Sequence, residues 1–172
     1  MKNKFYLVTL AVLVVDHLTK WLVSSWLDSY GQSRVLDVVP GYLRISYIVN
    51  SGVAFGFFRD IQSVWKPYIL AGMAVVAVLV ILVYSSRMPL NRTLLQIALT
   101  MTMGGILGNF IDRVVHGYVV DFIEFHVKDS FYWPTFNLAD SAITIGIALL
   151  LIDTVKNPEA EEELSTPLTG EK

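Results

Sequence analysis

The sequence contains no cysteine, and only 16% of its residues are charged. Without cysteine the protein can have no disulfide framework, no thiolate nucleophile, no thiolate metal ligand and no S-lipidation of its own. Histidine is rare as well, and the spacing of His17, His116 and His126 matches no metal motif such as HExxH. A basic stripe of the kind that nucleic-acid binding needs is also missing. We therefore expect no metal, no other cofactor and no nucleic-acid partner.

The charged residues are unevenly distributed along the chain. The formal net charge is −2, but residues 157–172 hold five glutamates and one lysine, so the rest of the chain is net positive. Such an acidic segment with few apolar residues cannot bury enough surface to fold. We therefore expect residues 1–156 to form a single domain and residues 157–172 to form a disordered acidic tail.

Hydrophobic residues are abundant: they make up 54% of the chain, and the mean hydropathy is +0.55. A membrane-spanning helix needs about 20 predominantly apolar residues. Four runs of suitable length predict spans at about 5–27, 67–84, 93–111 and 138–155. Lys2 and Lys4 would suit a cleaved secretory signal, but Asp16, His17 and Lys20 interrupt the first run and no small-residue cleavage site follows it. The first span is therefore predicted to be retained.

Residues 28–64, between the first two predicted spans, have a mixed composition. Val35–Val39 and Leu43–Val49 are β-prone pieces bounded by glycine and proline. Apolar residues at Leu43, Ile45, Tyr47 and Val49 predict a strand with one apolar face. We therefore predict a small β-structure in this segment.

Four spans place both termini on the same side of the membrane. Most of the basic residues that flank the spans lie on that side, namely Lys2, Lys4, Arg87, Arg92 and Lys156, against Lys66 and Arg113 on the other. The positive-inside rule then predicts cytoplasmic termini. The four tryptophans fall near the opposite interface, so residues 28–64 and 113–136 are expected outside the cytoplasm.

Two carboxylates stand beside the predicted spans, where ionisable groups are candidates for function. Asp121 lies in the apolar run 119–123, and Asp140 opens the fourth predicted helix. Two carboxylates that share a site acquire different pKa values and can share one proton. Such a pair can activate water for attack on a peptide carbonyl, while the protonated partner polarises the carbonyl oxygen and later protonates the leaving amine.

Simpler interpretations of these residues stay open at this point. Asp140 could serve as a second cap of the fourth helix beside Asn137, which is suited to be its N-cap. Asp121 could pair with Arg113. Asp112 and Arg113 have the character of a positioning pair at the end of the third span.

The first span contains an ionic pair. Asp16 and Lys20 are four residues apart, hence on one helix face and in the favourable order, and they are expected to lock this helix to a neighbour. A Ser–Lys dyad of Ser24 with Lys20 is conceivable, but the pairing with Asp16 disfavours the neutral lysine that such a dyad requires.

The third span carries glycines and polar residues on one face. Gly104 and Gly108 fit the small-xxx-small pattern that lets helices approach closely. Gly105, Gly108, Asn109 and Asp112 recur at helical spacing. Packing alone requires neither the asparagine nor the aspartate, so this face is expected near a functional site.

Taken in series, five motifs resemble the lipoprotein signal peptidases, the signal peptidase II family of bacteria. The motifs are Asp16–Lys20 (DHLTK), Asn50–Phe55 (NSGVAF), Gly104–Arg113 (GGILGNFIDR), Val119–Phe122 (VVDF) and Phe136–Ser141 (FNLADS). The match covers about residues 5–155, and the motifs stand in the order of the family. Each motif alone is weak, but five in series are highly specific.

The resemblance implies a four-span aspartic peptidase of the bacterial inner membrane. The family removes the signal peptide of prolipoproteins and cuts just before a cysteine that already bears diacylglycerol. Asp121 and Asp140 match its catalytic pair. Further matching positions that line or support the site are Asn50, Gly52, Asn109, Arg113, Asn137 and Ala139, with Asp16 and Lys20 from the first helix. We add Gly105 and Asp112 to the supporting set.

The resemblance also implies the fold and the partners. The expected fold is an all-α integral membrane protein with four transmembrane helices and a small extracytoplasmic β-sheet cradle between the first and second spans. The expected partners are a lipid-modified prolipoprotein, membrane lipids and cyclic peptide inhibitors like globomycin, which occupies the place of the substrate. The active site is expected towards the extracytoplasmic face.

Two rival functions would use the same residues. A small transporter or proton-coupled channel would use Asp16, Asp121 and Asp140 as a relay, with carboxylates spread through the bilayer and inverted repeats; the sequence shows no convincing internal repeat. A lipid-binding or assembly factor without catalysis would tolerate Asp→Asn changes at positions 121 and 140.

Overall fold

A computed structural model describes residues 3–27, 35–52, 64–128 and 130–158. In chain order the elements are α1 (Asn3–Leu27), β1 (Val35–Val39), β2 (Leu43–Asn50), α2 (Lys66–Arg87), α3 (Thr93–His116), β3 (Val119–Val127), β4 (Phe131–Tyr132) and α4 (Leu138–Lys156). These four helices are each long and apolar enough to cross a membrane, as predicted. Most of the predicted acidic tail (159–172) and the second half of the NSGVAF motif (53–55) lie outside the described residues.

The boundaries of α3 and α4 follow local signals. The C-cap of α3 is Gly117, whose φ of 80° is a left-handed conformation that glycine adopts readily. Asn137 is the N-cap of α4 and forms a capping box with Asp140. Helix α3 continues past the predicted end of its span at about 111 as far as His116, so Asp112 and Arg113 lie inside its last turns.

Helix α3 is the centre of the bundle, where it packs against α1, α2 and α4. Glycines make these contacts close. A Cβ atom on Gly104 would lie 2.8 Å from a side chain of α1, and one on Gly108 would lie 2.6 Å from Oδ2 of Asp16. A Cβ atom on Gly105 would collide with the carbonyl oxygen of Ala139 in α4. The predicted close approach through Gly104 and Gly108 is confirmed, and Gly105 extends it to α4.

We expect Gly105→Ala to destabilise the protein by about 1–3 kcal/mol, a range typical of overpacked positions. The added methyl group would meet the carbonyl oxygen of Ala139 and would lie 2.8 Å from Cγ1 of Ile143, so α4 would have to move away from α3. Thermal unfolding in detergent measures the loss. Gly72→Ala in α2 is the matched control, because nothing lies within 4 Å of its new Cβ atom. Equal melting temperatures for the two variants would contradict this account.

Buried polar contacts tie three helices together at the end of the bundle formed by the C-termini of α2 and α4. Arg92, just before α3, forms an ion pair with Asp153 of α4. Ser85 of α2 donates from its hydroxyl group to Oε1 of Gln96 in α3 at 2.7 Å. Because Asp153 and Asp140 lie at opposite ends of α4, this tie is remote from the predicted catalytic pair.

The β-sheet is larger than predicted and is not confined to the segment between the first two spans. Strands β1 and β2 form a hairpin, and β3 and β4, from the connection between α3 and α4, extend it in the order β1-β2-β3-β4. All neighbouring strands are antiparallel. A two-stranded hairpin alone is only marginally stable in water. Strand β3 stabilises it by giving β2 a second partner.

Strand β2 does not keep the unbroken alternation that its sequence predicts. The pairing register with β3 shifts between Ile45 and Ile48, and such a bulge changes the direction in which the following side chains point. Beyond the shift, Ile48 lies opposite Asp121 and Asn50 lies opposite Val119. The irregular register thus brings the end of β2 beside Asp121.

Candidate active site

Asp121 and Asp140 reach the same place from two different elements. Asp121 extends from β3 and is only 1% exposed, whereas Asp140 stands in the first turn of α4. Asn137 contacts both residues. Its Nδ2 donates to Oδ1 of Asp121 at 2.7 Å, and its Oδ1 accepts from the backbone N–H of Asp140 at 2.9 Å. The backbone N–H of Asn137 donates to Oδ2 of Asp140 at 3.3 Å. The structure therefore brings the two predicted carboxylates to one asparagine.

Two further asparagine side chains hold the carboxylates. Asn50 of β2 donates from Nδ2 to Oδ2 of Asp121 at 2.7 Å. Asn109 of α3 donates from Nδ2 to Oδ1 of Asp140 at 2.8 Å. Hydrogen bonds from amides fix the position of a carboxylate without adding a compensating charge. Both carboxylates are thus positioned by neutral donors from three different segments.

The surroundings of Asp121 favour its protonated form. Burial first, and the negative charge of Asp140 second, raise the pKa of Asp121 to about 7. The hydrogen bonds from Asn50 and Asn137 act in the opposite direction. A carboxyl group with this pKa can give and take a proton near neutral pH, which suits general acid–base chemistry.

Arg113 and Asp112, predicted to be a positioning pair, contact different partners. Arg113 donates from Nη1 to the carbonyl oxygen of Asn109 and from Nη2 to the carbonyl oxygen of Gly52, both at 2.9 Å. Asp112 instead lies 2.7 Å from the ammonium group of Lys20. Arg113 therefore joins the end of β2 to α3, and Asp112 joins α3 to α1.

The ionic pair of the first helix contacts α4. Asp16 Oδ2 accepts from Lys20 Nζ at 2.7 Å, and Asp16 Oδ1 accepts from the backbone N–H of Ala139 at 2.9 Å. The prediction that this pair locks α1 to a neighbour is confirmed. The contact lies at the N-terminus of α4, one residue before Asp140.

The histidines lie apart from one another. His17 is near Asp112, with 3.7 Å between Nδ1 and Oδ1, whereas His126 stacks on Tyr132. Within the described ranges, no group of three or more His, Asp or Glu side chains could hold a metal ion.

A cleft of about 440 Å³ opens beside Asp140 and Asn50. Its wall consists of the four residues 133–136 before the N-cap and one face of the first turns of α4, and the lining is mostly apolar. This wall was not predicted from the sequence, in which residues 133–136 belong to the connection before the fourth span. The available signal was the pair of aromatic residues, Trp133 and Phe136, within four positions of the capping residue. An apolar cleft with a few polar groups is typical of a ligand-binding site.

Solved structures share this fold. A bacterial membrane enzyme determined by the in meso method at 2.3 Å resolution is 29% identical, and the match covers 99% of this chain and 95% of that chain with a TM-score of 0.74. A second such structure, at 1.9 Å resolution, is 31% identical with the same TM-score and covers 90% of this chain and 94% of that chain. The chain is therefore an integral membrane protein with the fold of a membrane enzyme.

Family comparisons give the particular class of enzyme. The family model described as signal peptidase (SPase) II matches residues 8–156. The lipoprotein signal peptidase of Ectopseudomonas mendocina (strain ymp) is 40% identical over 157 residues, 91% of this chain and 90% of that protein. That of Symbiobacterium thermophilum is 38% identical over 147 residues, 85% of this chain and 90% of that protein. The chain belongs to the signal peptidase II family, and membership implies that it is a protease.

Proposed function

We propose that this protein is an aspartic endopeptidase that removes the signal peptide from prolipoproteins, cutting on the N-terminal side of a cysteine that bears diacylglycerol. The observation that carries the proposal is the attachment of Asp121 and Asp140 to the same asparagine, Asn137, beside a mostly apolar cleft. The relatives named above are lipoprotein signal peptidases, which supports the substrate class.

In the proposed mechanism the two carboxylates share one proton. The ionised member takes a proton from water as the water oxygen attacks the peptide carbonyl carbon. The protonated member polarises the carbonyl oxygen and later gives its proton to the leaving amine. The pKa of Asp121, about 7, supports this mechanism because it keeps a proton on the pair near neutral pH. No thiol and no cofactor take part.

The supporting residues have distinct roles in this proposal. Amide donors hold the carboxylates, backbone contacts join the elements that carry them, and glycine allows α3 and α4 to approach. The set comprises Asn50, Asn109 and Asn137 as donors, Gly52, Arg113, Ala139, Asp16, Lys20 and Asp112 as joining residues, and Gly105 at the helix contact.

The cleft suits a lipid-bearing substrate. Trp133, Phe136, Ile143 and Ile145 contribute apolar lining, and the cleft begins at Asp140. Diacylglycerol anchors the substrate in the membrane, and its acyl chains add van der Waals contacts with this lining that an unmodified cysteine lacks. Cyclic peptide inhibitors of the globomycin type would occupy the same cleft.

We place the protein in the bacterial inner membrane, with both termini in the cytoplasm and the catalytic pair towards the extracytoplasmic face. The basic residues Arg87, Arg92 and Lys156 flank the helix ends remote from Asp140, which supports this orientation by the positive-inside rule. The outward faces of α1, α2 and α4 expose large apolar side chains, and these faces would contact membrane lipids.

The lipid requirement is tested with one prolipoprotein, prepared with and without its diacylglyceryl group and offered to the purified protein in detergent. We expect cleavage of the lipidated form only, with a new N-terminus at the modified cysteine, because the acyl chains supply the binding that positions the bond. Mass spectrometry of both products locates the cut. Equal cleavage of both forms would contradict the lipid requirement. A folded protein that bound the lipidated form without cutting it would support a non-catalytic binding factor.

A further inference from the structure

Lys20 is a buried cation that lies close to three side-chain oxygen atoms. Its ammonium nitrogen lies 2.7 Å from Oδ2 of Asp16, 2.7 Å from Oδ2 of Asp112 and 3.0 Å from Oδ1 of Asn109. An ammonium group has three N–H donors and no acceptor. Lys20 therefore donates hydrogen bonds to Asp16 and Asn109 and forms an ion pair with Asp112, and it cannot act as the base of a Ser–Lys dyad while these contacts persist.

The contact with Lys20 determines which way the amide of Asn109 faces. Because the ammonium group can only donate, the oxygen of that amide must point to Lys20. Nδ2 of Asn137 also donates to this oxygen, at 3.2 Å, which favours the same orientation. The amide nitrogen of Asn109 is then left to donate to Oδ1 of Asp140 at 2.8 Å. With the opposite orientation, the amide oxygen of Asn109 would face the carboxylate oxygen Oδ1 of Asp140, and neither could donate a hydrogen bond.

Asp140 therefore receives donors on both carboxylate oxygens. Oδ1 accepts from Asn109, and Oδ2 accepts from the backbone N–H of Asn137 at 3.3 Å. The N-terminal end of α4 adds a favourable dipole for a negative charge. The charged groups that act on Asp140 are Lys20 from α1 and Arg113 from α3, with Asp121 opposite on β3. Asp16 and Asp112 both pair with Lys20.

The hydrogen-bonding surroundings of Asp121 differ from those of Asp140. Its two hydrogen-bond donors, Asn50 and Asn137, are neutral amides, and neither accepts a hydrogen bond from Lys20. The charge of Lys20 also acts on Asp121, but no single amide joins the two residues. Burial and the charge of Asp140 raise the pKa of Asp121 to about 7. The two carboxylates thus stand in unequal environments, and only that of Asp140 is connected to a fixed cation through one amide.

We propose that Lys20 is a positioning residue that acts through the amide of Asn109 to hold Asp140 as the ionised member of the pair, with Asp121 as the protonated member. This inference rests on the proposed aspartic mechanism. Asp140 then takes the proton from water as the oxygen–carbon bond forms. Asp121 gives its proton to the amine nitrogen as the carbon–nitrogen bond breaks. The proton on Asp140 passes to Asp121 when the products leave, and the starting state is restored.

The test compares pH profiles of kcat for purified Lys20→Met, which keeps most of the side-chain length without the charge, and for the wild type on the lipidated substrate. We expect kcat to fall about 10²-fold, as when one preorganised donor is lost, and KM to change little. The acidic limb of the profile should move to higher pH by about one unit, because an opposite charge no longer acts on the ionised base. A loss of kcat that only tracks the folded fraction, with an unchanged profile, would overturn the inference.

Asn109→Leu provides the second variant, and it leaves Lys20 paired with Asp16 and Asp112. If Lys20 acts through this amide, the acidic limb of the kcat profile of Asn109→Leu should also move to higher pH. In the variant that combines both substitutions, the limb should move little further than in either single variant. Full additivity of the two shifts would show that Lys20 acts by another route. This variant also keeps the inference testable if Lys20→Met does not fold.

Arg92→Met is the matched control, because it removes a cation from a buried ion pair at the opposite end of the bundle. It should lower the melting temperature and leave the pH profile of kcat unchanged. A shifted profile in Arg92→Met would mean that the shift reports general destabilisation, and it would overturn the inference. The proposed function has its own test: it is refuted if Asp121→Asn or Asp140→Asn still cleaves the substrate. If both of these variants lose cleavage but Lys20→Met keeps the wild-type pH profile, only the role of Lys20 is refuted.

Discussion

Asp121→Asn and Asp140→Asn are each expected to lower the rate of cleavage of a lipidated prolipoprotein by about 10³-fold or more, within the range that general acid–base groups contribute. Either substitution removes the ability to exchange a proton while it preserves the size of the side chain. Substitution of one carboxylate is expected to lower the cleavage rate nearly as much as substitution of both, because the two act as a unit. Single-turnover cleavage by each purified variant measures the effect.

Asp153→Asn is the control for these substitutions. It also replaces a buried carboxylate, but one that pairs with Arg92 at the far end of α4. We expect this variant to melt at a lower temperature and to cut at a rate close to that of the wild type. Cutting that survives in Asp121→Asn or Asp140→Asn would exclude an aspartic mechanism.

Asp121 also predicts a pH dependence of stability. Its pKa is raised from 3.8 to about 7 in the folded protein, so the folded state binds a proton that the unfolded state has already lost between these values. The stability that this proton contributes is fully present below about pH 4 and is lost as the pH rises through about 7. In Asp121→Asn this contribution to the decrease of stability with rising pH should be absent. Melting temperatures of the variant and the wild type, measured from pH 4 to pH 8, should show the difference.

Substitutions of Asn137 are expected to separate catalysis from helix capping. Asn137→Ala removes both the cap of α4 and the donor to Asp121, so it should lower stability by about 1 kcal/mol and cleavage by about 10²-fold or more. Asn137→Ser keeps a capping oxygen but is too short to replace the donor at 2.7 Å from Asp121. It should therefore retain most of the stability and still lose cleavage. Equal activity of Asn137→Ser and the wild type would show that the contact with Asp121 is dispensable.

The four spans could be predicted from the sequence because length and hydropathy are local properties. The sheet could be predicted only in part. The pattern of Val35–Val39 and Leu43–Val49 indicates strands, but nothing in it specifies a partner. Pairing of β2 with β3 joins segments separated by two membrane helices, and a register shift between Ile45 and Ile48 breaks the alternation. Such non-local pairing depends on how α1 and α3 pack.

The proposed catalytic pair and its supporting positions could be picked out from motifs, but the contacts between them could not. Asn50, Asn109 and Asn137 come from three different segments, and which oxygen or nitrogen each amide presents depends on its neighbours in space. The orientation of Asn109, for example, is set by Lys20, 89 positions away in the sequence. The cleft wall was missed for the same reason, since residues 133–136 acquire their role only where they fold beside α4.

A nascent chain that lacks α4 carries Asp121 but not Asp140. Because α4 is the last element of the described fold and synthesis proceeds from the N-terminus, the two carboxylates meet only after the final helix has entered the membrane. Asn137 also caps α4 and holds Asp121 only once β3 and α4 are both in place. A growing chain therefore has no assembled pair of the proposed catalytic carboxylates during its own insertion. Completion of the fold is thus the step that assembles the proposed pair.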